Sequence, residues 1–345
     1  MKKTSLEHVS RLISRLWYAM MNMVKFGASL RHAEGEEGHP LAFLLPIFLF
    51  PAFVHFPFLT ELKKKAIHDR IFVKARYTRA FHADERRKNE MLSQIISIAR
   101  RAGEMMLEAR DAAIHQKEGH YNFVTDADMA VQRYLQKELL SLLPGARFFA
   151  EEQENDPLTD EATFVVDPID GTMNFMRHRN ASAVSIALLK NKMPVLGVIY
   201  IPYSDEMFTA ELGKGAYMNG RRISVSSTPF ENGLVLFGTS PYDQDLVQRS
   251  MYAAGQFLVQ AGDLRRSGAA TLDLCDIACG RADIFFELRL RPWDVAAGAL
   301  LVTEAGGRYL SLQHDRPWFD GPSGMLACNA VCEEQALRIL QEALL

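Results

Sequence analysis

Two carboxylates that follow a buried apolar run are the residues best suited to chemistry. Asp167 and Asp170 come directly after the apolar residues 164–166, and Pro168 lies between them. Because proline fixes φ and removes a backbone donor, we expect the strand to turn sharply there, with both side chains pointing into one space. Carboxylates this close repel each other unless a proton or a cation holds them together, and Mg²⁺ prefers oxygen ligands. The pair therefore predicts a divalent-metal site.

A Gly-Thr pair follows the second carboxylate. If Gly171 and Thr172 open a helix, their free N–H groups can bind an anion. A metal ion beside a phosphate is the arrangement that phosphoryl chemistry requires. The alternative interpretation is an Asx turn capped by Asp170, with no ligand at all.

Other carboxylates lie at further boundaries between predicted elements. Asp128 precedes a helical pattern, Glu151 and Glu152 follow a short strand, and Asp294 lies at or near the start of another helix. Residues 91–345 hold 23 basic and 33 acidic residues, a net charge of −10 that suits a protein collecting divalent cations. The recurrence of acids at these boundaries favours a centre of two or three metal ions over solvent-exposed turns.

The elements that position these residues alternate irregularly between helix and strand. The helical patterns begin at Met91 and at Asp294 and also cover residues 134–140, 244–262 and 271–280. The strand patterns cover residues 148–150, 164–166, 182–189, 195–200, 207–210, 234–238 and 284–286. The last of these strands ends at Glu287. Without strict βαβ alternation, this order indicates an α+β fold built in layers. We expect a metal-binding half at residues 91–232 and a C-terminal half at 233–345 that completes the active site.

Residues 1–90 form a hydrophobic and basic extension. They hold an amphipathic helical pattern, an apolar run at residues 41–59 that prolines interrupt, and a basic stretch. The prolines make a transmembrane helix a poor interpretation, and contact with a membrane surface or docking on another apolar segment both remain open. A further alternative is that translation starts at Met91. The four cysteines are too few for a disulfide framework, which favours the cytoplasm.

Four separated motifs resemble those of the inositol monophosphatase family. They are Val124-Thr125-x-x-Asp128, Glu151-Glu152, Asp167-Pro-Ile-Asp-Gly-Thr172-x-Asn-Phe175 and Trp293-Asp-x-Ala-Ala-Gly298. The resemblance runs from about Met91 to the C-terminus, and residues 213–220 and 265–274 look most like the bacterial inositol-1-monophosphatase branch. It implies a layered αβαβα sandwich and a Mg²⁺-dependent, Li⁺-sensitive phosphatase.

The resemblance also implies the roles of the metal ligands. Glu151, Asp167 and the Ile169 carbonyl would hold one Mg²⁺, and Asp167, Asp170 and Asp294 would hold a second. A weaker third ion would use Glu151 and water molecules. Two to three Mg²⁺ ions are therefore expected.

The catalytic and substrate residues follow from the same motifs. Thr172, linked to Asp128 and assisted by Glu152, would orient or deprotonate the attacking water. The Gly171 and Thr172 amides would hold the phosphate. The leaving alcohol would meet Ala270, Glu287 and the surroundings of Asp294. The sequence departs from the family pattern at Met173, at residues 180–182 and at residues 288–289, where Arg289 is either a cation near the substrate or a solvated side chain.

The expected substrate is a small phosphorylated polyol, with inositol 1-phosphate first. Histidinol phosphate, fructose 1,6-bisphosphate and 3′-phosphoadenosine-5′-phosphate remain alternatives. The phosphatases that act on them share the metal ligands and differ in the leaving-group pocket, so the motifs do not separate these substrates. No base-stacking platform or basic surface points to a specific nucleic acid. The family resemblance implies a homodimer. From a different class, a membrane-tethered regulatory or binding module remains open.

Overall fold

The computed structural model describes residues 90–116, 123–241 and 243–344. The expected membrane-surface segments in residues 1–89 lie outside this range. The helices are α1 at residues 90–108, α2 Asp126–Leu142, α3 Thr172–Met176, α4 Gln244–Gln260, α5 Ala270–Ala278, α6 Pro292–Glu304 and α7 Glu333–Leu344. Within the described residues, no helix is both long and apolar enough to cross a membrane.

A seven-stranded sheet carries the first half of the fold. Its strands are β3 Arg147–Ala150, β4 Thr163–Asp170, β5 Ala183–Lys190, β6 Met193–Ile201, β7 Glu206–Glu211, β8 Gly215–Met218 and β9 Arg221–Ile223, which neighbour each other in that order. β3 runs parallel to β4, and every other pair is antiparallel. The strands predicted between residues 182 and 210 are therefore confirmed, and they pair in antiparallel fashion. Ahead of this sheet, β1 Ile114–Gln116 pairs with β2 Phe123–Thr125.

A five-stranded sheet carries the second half. Its strands are β10 Leu234–Phe237, β11 Asp263–Arg265, β12 Ile284–Leu290, β13 Arg308–Ser311 and β14 Ser323–Cys328. Their order is β11-β10-β12-β14-β13, with β10 parallel to both of its neighbours and the remaining pairs antiparallel.

The side chains of β4 show how the layers form. All eight residues of this strand are buried, so both of its faces are covered. Because successive side chains point to opposite faces, Phe164 and Val166 pack with α1 and α2, whereas Val165 packs with α5 and α6. The uninterrupted apolar run at residues 164–166 reflects this two-sided burial.

The three main apolar clusters define five layers. One cluster joins α1 and α2 to the seven-stranded sheet, a second places α5 and α6 between the two sheets, and a third joins α4 and α7 to the outer face of the five-stranded sheet. The predicted αβαβα sandwich is confirmed. Three of the four cysteines are buried and all four are free thiols.

Two strand ends differ from the prediction. The sharp turn expected at Pro168 is wrong, because β4 continues through Asp170 with a bulge between Asp167 and Asp170. A bulge leaves one residue out of the ladder, and a proline without an N–H can occupy it. The strand end expected at Glu287 is also wrong: β12 continues to Leu290, again with an irregular register after Glu287.

Candidate active site

Three carboxylates from two elements meet at the end of β4. Asp167 and Asp170 lie on either side of the bulge, and Asp294 is the third residue of α6. Each offers one oxygen to a group in which these atoms all lie within 4.8 Å of one another. The predicted shared space is confirmed, although a bulge creates it rather than a turn.

Hydrogen bonds within the bulge fix its shape. The Ile169 N–H donates to Asp167 Oδ1 over 3.0 Å, and the Thr172 hydroxyl donates to the Ile169 carbonyl over 3.2 Å. On α6, Asp294 Oδ2 accepts the backbone N–H of Arg291 over 2.7 Å. Asp294 is therefore not the N-cap residue itself but reaches back to it from the first turn.

The three carboxylates are held in an environment that disfavours their charged forms. Burial raises the pKa of Asp167 well above its usual range, and the negative charges of Glu151, Asp170, Asp294 and Asp128 raise this pKa further. The pKa of Asp294 is raised for the same reasons. None of the ion pairs within the described residues includes one of these three side chains. A divalent cation with oxygen ligands fits this donor set.

Glu151 and Glu152 lie in the turn that follows β3. The Glu152 N–H donates to Gln132 Oε1 of α2 over 2.9 Å, and Asn155 makes two hydrogen bonds with the backbone of Ala150. Glu151 stands outside the group of three, yet its charge raises the pKa of both Asp167 and Asp294. The turn therefore places Glu151 near enough to act on these carboxylates, and its role as a metal ligand stays a prediction.

Thr172 lies between Asp128 and the bulge. Its hydroxyl is 3.5 Å from Asp128 Oδ1, the outer limit of a hydrogen bond. Asp128 is fully buried at the start of α2, where its Oδ2 accepts the N–H of Thr125 over 2.7 Å. This capping box holds the carboxylate in place and explains the spacing of the Val-Thr-x-x-Asp motif.

Glycine is required before α3. Gly171 has φ of 82°, and a Cβ there would lie 3.0 Å from both the Ala181 carbonyl oxygen and the Ala269 side chain. Burial raises the pKa of its neighbour Asp170, and the Gly171 N–H partly offsets this rise. The predicted phosphate-binding role of the Gly171 and Thr172 amides stays a prediction.

Glu287 is held on the second sheet. Its Oε1 accepts the backbone N–H of Ser240 over 3.0 Å, and Gly238 leaves room for the carboxyl, since a Cβ there would lie 1.9 Å from Oε2. Burial raises the pKa of Glu287 to about 7. Ala270 is the first residue of α5 and is buried.

Several residues at the site escaped sequence reasoning. Asn174 donates to the carbonyls of Ala181 over 2.8 Å and of Ser267 over 3.1 Å, which ties α3 to the segment before α5. Thr271 donates to Asp170. The structural role of Asn174 could have been predicted, because Asn174 is a polar residue of the motif at residues 167–175. Thr271 lies in a helix of small residues, and that pattern indicates only close packing.

Two departures from the family pattern lie at the surface. Arg289 is 3.4 Å from Asp243 across an exposed ion pair, and Met173 is exposed on α3. The solvated interpretation of Arg289 fits this contact better than a cation at the substrate.

Comparison with known sequences places the chain in a family. The sequence model of the inositol monophosphatase family matches residues 87–345. Inositol monophosphatase 2 of Solanum lycopersicum is 39% identical over 231 residues, which are 64% of this chain and 87% of that protein. The putative Nus factor SuhB of Neisseria meningitidis is 35% identical over 258 residues, 73% of this chain and 98% of that protein.

Solved structures share the fold. The extragenic suppressor protein suhB of Bartonella henselae superposes with a TM-score of 0.68 at 32% identity, over 73% of this chain and 99% of that one. The IMPase of Thermotoga maritima gives 0.68 at 27% identity, over 74% and 98%. With its layered fold and its buried acidic centre, the chain belongs to the inositol monophosphatase family of phosphomonoesterases.

Proposed function

We propose that the protein is a Mg²⁺-dependent phosphatase that hydrolyses inositol 1-phosphate to inositol and phosphate. The observation that carries this proposal is the group of Asp167, Asp170 and Asp294, none of which takes part in an ion pair within the described residues. Bound Mg²⁺ supplies a nucleophilic water near neutral pH and stabilises the leaving oxygen.

The ligand roles follow the family pattern. Asp167, Asp170 and Asp294 hold one cation, and Asp167 shares a second with Glu151 and the Ile169 carbonyl. A third, weaker ion uses Glu151. The chain therefore takes two to three Mg²⁺ ions and, as the family resemblance implies, is inhibited by Li⁺.

The remaining residues orient the reactants. Thr172 aligns the attacking water and passes a proton from this water toward Asp128. Glu152 assists in this step. The Gly171 and Thr172 amides stabilise the charge that develops on the phosphate. Ala270, Glu287 and Asp294 meet the leaving alcohol, and the raised pKa of Glu287 lets it exchange hydrogen bonds with hydroxyls near neutral pH.

Phosphate release from a substrate panel tests this function. The panel contains inositol 1-phosphate, histidinol phosphate, fructose 1,6-bisphosphate and 3′-phosphoadenosine-5′-phosphate, each with Mg²⁺, with chelator, and with added Li⁺. We expect the highest kcat/KM for inositol 1-phosphate and no release with chelator. A higher kcat/KM for another substrate would transfer the assignment to that phosphatase. No release from any of them would favour the regulatory or binding module.

The cellular setting is part of the proposal. The family resemblance supports a homodimer, and the four free cysteines fit a reducing cytoplasm. We assign residues 1–90 to an extension outside the catalytic fold, residues 91–232 to the metal-binding half and residues 233–345 to the half that completes the site.

A further inference from the structure

The carboxylate of Asp170 is held from the other half of the chain. The N–H of Thr271 donates to Asp170 Oδ2 over 2.7 Å, and the Thr271 hydroxyl donates to the same oxygen. Both residues are buried, and Thr271 is fully so. The contact joins β4 of the seven-stranded sheet to the first turn of α5.

This contact also completes the start of α5. The N-cap residue of that helix, Ala269, has no side-chain acceptor for the free N–H groups of the first turn. Asp170 supplies the acceptor instead. Burial raises the pKa of Asp170, and hydrogen bonds from the N–H groups of Ala270 and Thr271 partly offset this rise. An acidic group at a helix N-terminus also interacts favourably with the helix dipole.

The hydroxyl has a separate consequence. Because both Thr271 donors reach Oδ2, they restrict the rotation of the carboxylate beside Asp167 and Asp294. Partners that orient a ligand in this way typically change metal affinity 10–100-fold when they are removed. Without the Thr271 hydroxyl, only the Thr271 backbone N–H would still donate to the Asp170 carboxylate.

We propose that Thr271 is a positioning residue for the cation that Asp170 holds, and that its hydroxyl sets the affinity of that site. The inference rests on the proposed metal-dependent function. It concerns Thr271 itself, which contacts the carboxylate of Asp170.

Metal binding measured without substrate tests the proposal. Mn²⁺ and Mg²⁺ titrations by calorimetry on the full chain compare the wild type with Thr271→Val, which keeps the shape, and Thr271→Ser, which keeps the hydroxyl. Thr163→Val is the matched control, because Thr163 is a buried threonine of β4 whose hydroxyl donates to the Glu161 carbonyl over 3.1 Å, away from the carboxylates.

We expect Thr271→Val to weaken one cation site about 10-fold or more, Thr271→Ser to restore it to within about 3-fold, and Thr163→Val to leave it unchanged. If Thr271→Val does not fold, as judged by circular dichroism, the smaller Thr271→Ala replaces it. Wild-type cation affinity in a folded variant without the hydroxyl overturns the proposal.

The outcome separates this proposal from the proposed function. A wild type that binds cations but releases no phosphate overturns the function and leaves the role of Thr271 testable by titration. A wild type that releases phosphate, with unchanged affinity in Thr271→Val, overturns the positioning role alone. A wild type that binds no divalent cation overturns both.

Discussion

At the scale of single residues, the site brings together Asp167, Asp170 and Asp294, and no ion pair within the described residues includes any of the three. Asp167 is buried, and its pKa is raised by burial and by the charges of Glu151, Asp170, Asp294 and Asp128. Its place at the bulge of β4 is fixed by the Ile169 N–H rather than by a cationic side chain. We therefore infer that its charge serves the proposed metal site and not the stability of the fold.

Replacing Asp167 by asparagine separates these two roles. We expect kcat to fall by at least ~10³, because a shared ligand of two metal ions is lost. The melting temperature without metal should stay the same or rise, since one repelling charge is removed. Asp160→Asn, at an exposed acid ahead of the same strand, is the control. Near-normal turnover of folded Asp167→Asn would contradict the two-metal assignment.

Thr172 is expected to act on water rather than on the cation. Its hydroxyl lies 3.2 Å from the Ile169 carbonyl and 3.5 Å from Asp128. Thr172→Ala should lower kcat by roughly 10²–10⁴, the range for loss of acid–base assistance, with little change in the Mg²⁺ concentration required. Steady-state kinetics across a Mg²⁺ series measure both quantities, and Thr172→Ser should recover part of the loss. A change confined to the Mg²⁺ requirement would show that the role is wrong.

Glu287 should make stability depend on pH. Its folded pKa of about 7 lies above the ordinary value of 4.5, so the folded state binds the proton more tightly than the unfolded state. The stabilisation is complete below about pH 4.5 and is lost as pH rises through about 7. With chelator present, wild-type unfolding free energy should fall by at most about 3 kcal/mol relative to Glu287→Gln over this range. Denaturant unfolding of both proteins at several pH values measures this difference. The same pH dependence of the unfolding free energy in wild type and Glu287→Gln would contradict the prediction.

At the scale of elements, the central helices pack unusually close. A Cβ on Gly298 of α6 would lie 2.4 Å from Leu274 Cδ1 of α5, and a Cβ on Gly197 of β6 would lie 2.9 Å from the Ala297 carbonyl oxygen. These contacts place α6 tightly between α5 and the seven-stranded sheet. Since α6 carries Asp294 and α5 carries Thr271, the packing also aligns the metal site.

Alanine substitutions at two helix glycines test this packing. Gly298→Ala should destabilise the protein by about 1–3 kcal/mol, because the side chain overpacks the contact with Leu274. A Cβ on Gly255 of α4 would meet no atom within 4 Å, so Gly255→Ala should stabilise by about 0.5–1 kcal/mol through helix propensity. Urea unfolding of both variants gives the comparison. Equal effects of the two substitutions would mean that α5 and α6 can separate without loss.

At the scale of the whole molecule, the catalytic fold begins near Met91. The family match starts at residue 87, and the fully buried residues of α1 are Ile95, Ala99, Ala102 and Met106. All of them lie after Met91 and pack in apolar clusters with other described residues. We therefore propose that the catalytic fold is complete without residues 1–90.

A chain that starts at Met91 is therefore expected to fold and to release phosphate as fast per molecule as the full chain. Circular dichroism checks the fold, and Mg²⁺-dependent kcat checks the site. The full-length protein is the control, measured at equal active-site concentration. Unfolding of the shortened chain, or loss of its activity, would place the extension within the catalytic fold.

Much of the fold followed from local patterns. The apolar run before Asp167 predicted a buried strand, and the irregular order of helices and strands predicted layers, because side-chain periodicity reports which faces are covered. The strand ends predicted at Pro168 and Glu287 were wrong, because a bulge lets a strand continue through a residue that would otherwise end it.

The sequence by itself determined which neighbouring residues can do chemistry, namely the acids Asp167 and Asp170, three residues apart, and the Gly-Thr pair that follows them. Only the tertiary structure decided which distant groups join them. Asp294 enters the centre because α6 packs between the sheets, and Thr271 reaches Asp170 because α5 starts beside β4. Local backbone preferences act over a few residues, whereas such contacts are set by the packing of whole layers, which no spacing along the chain records.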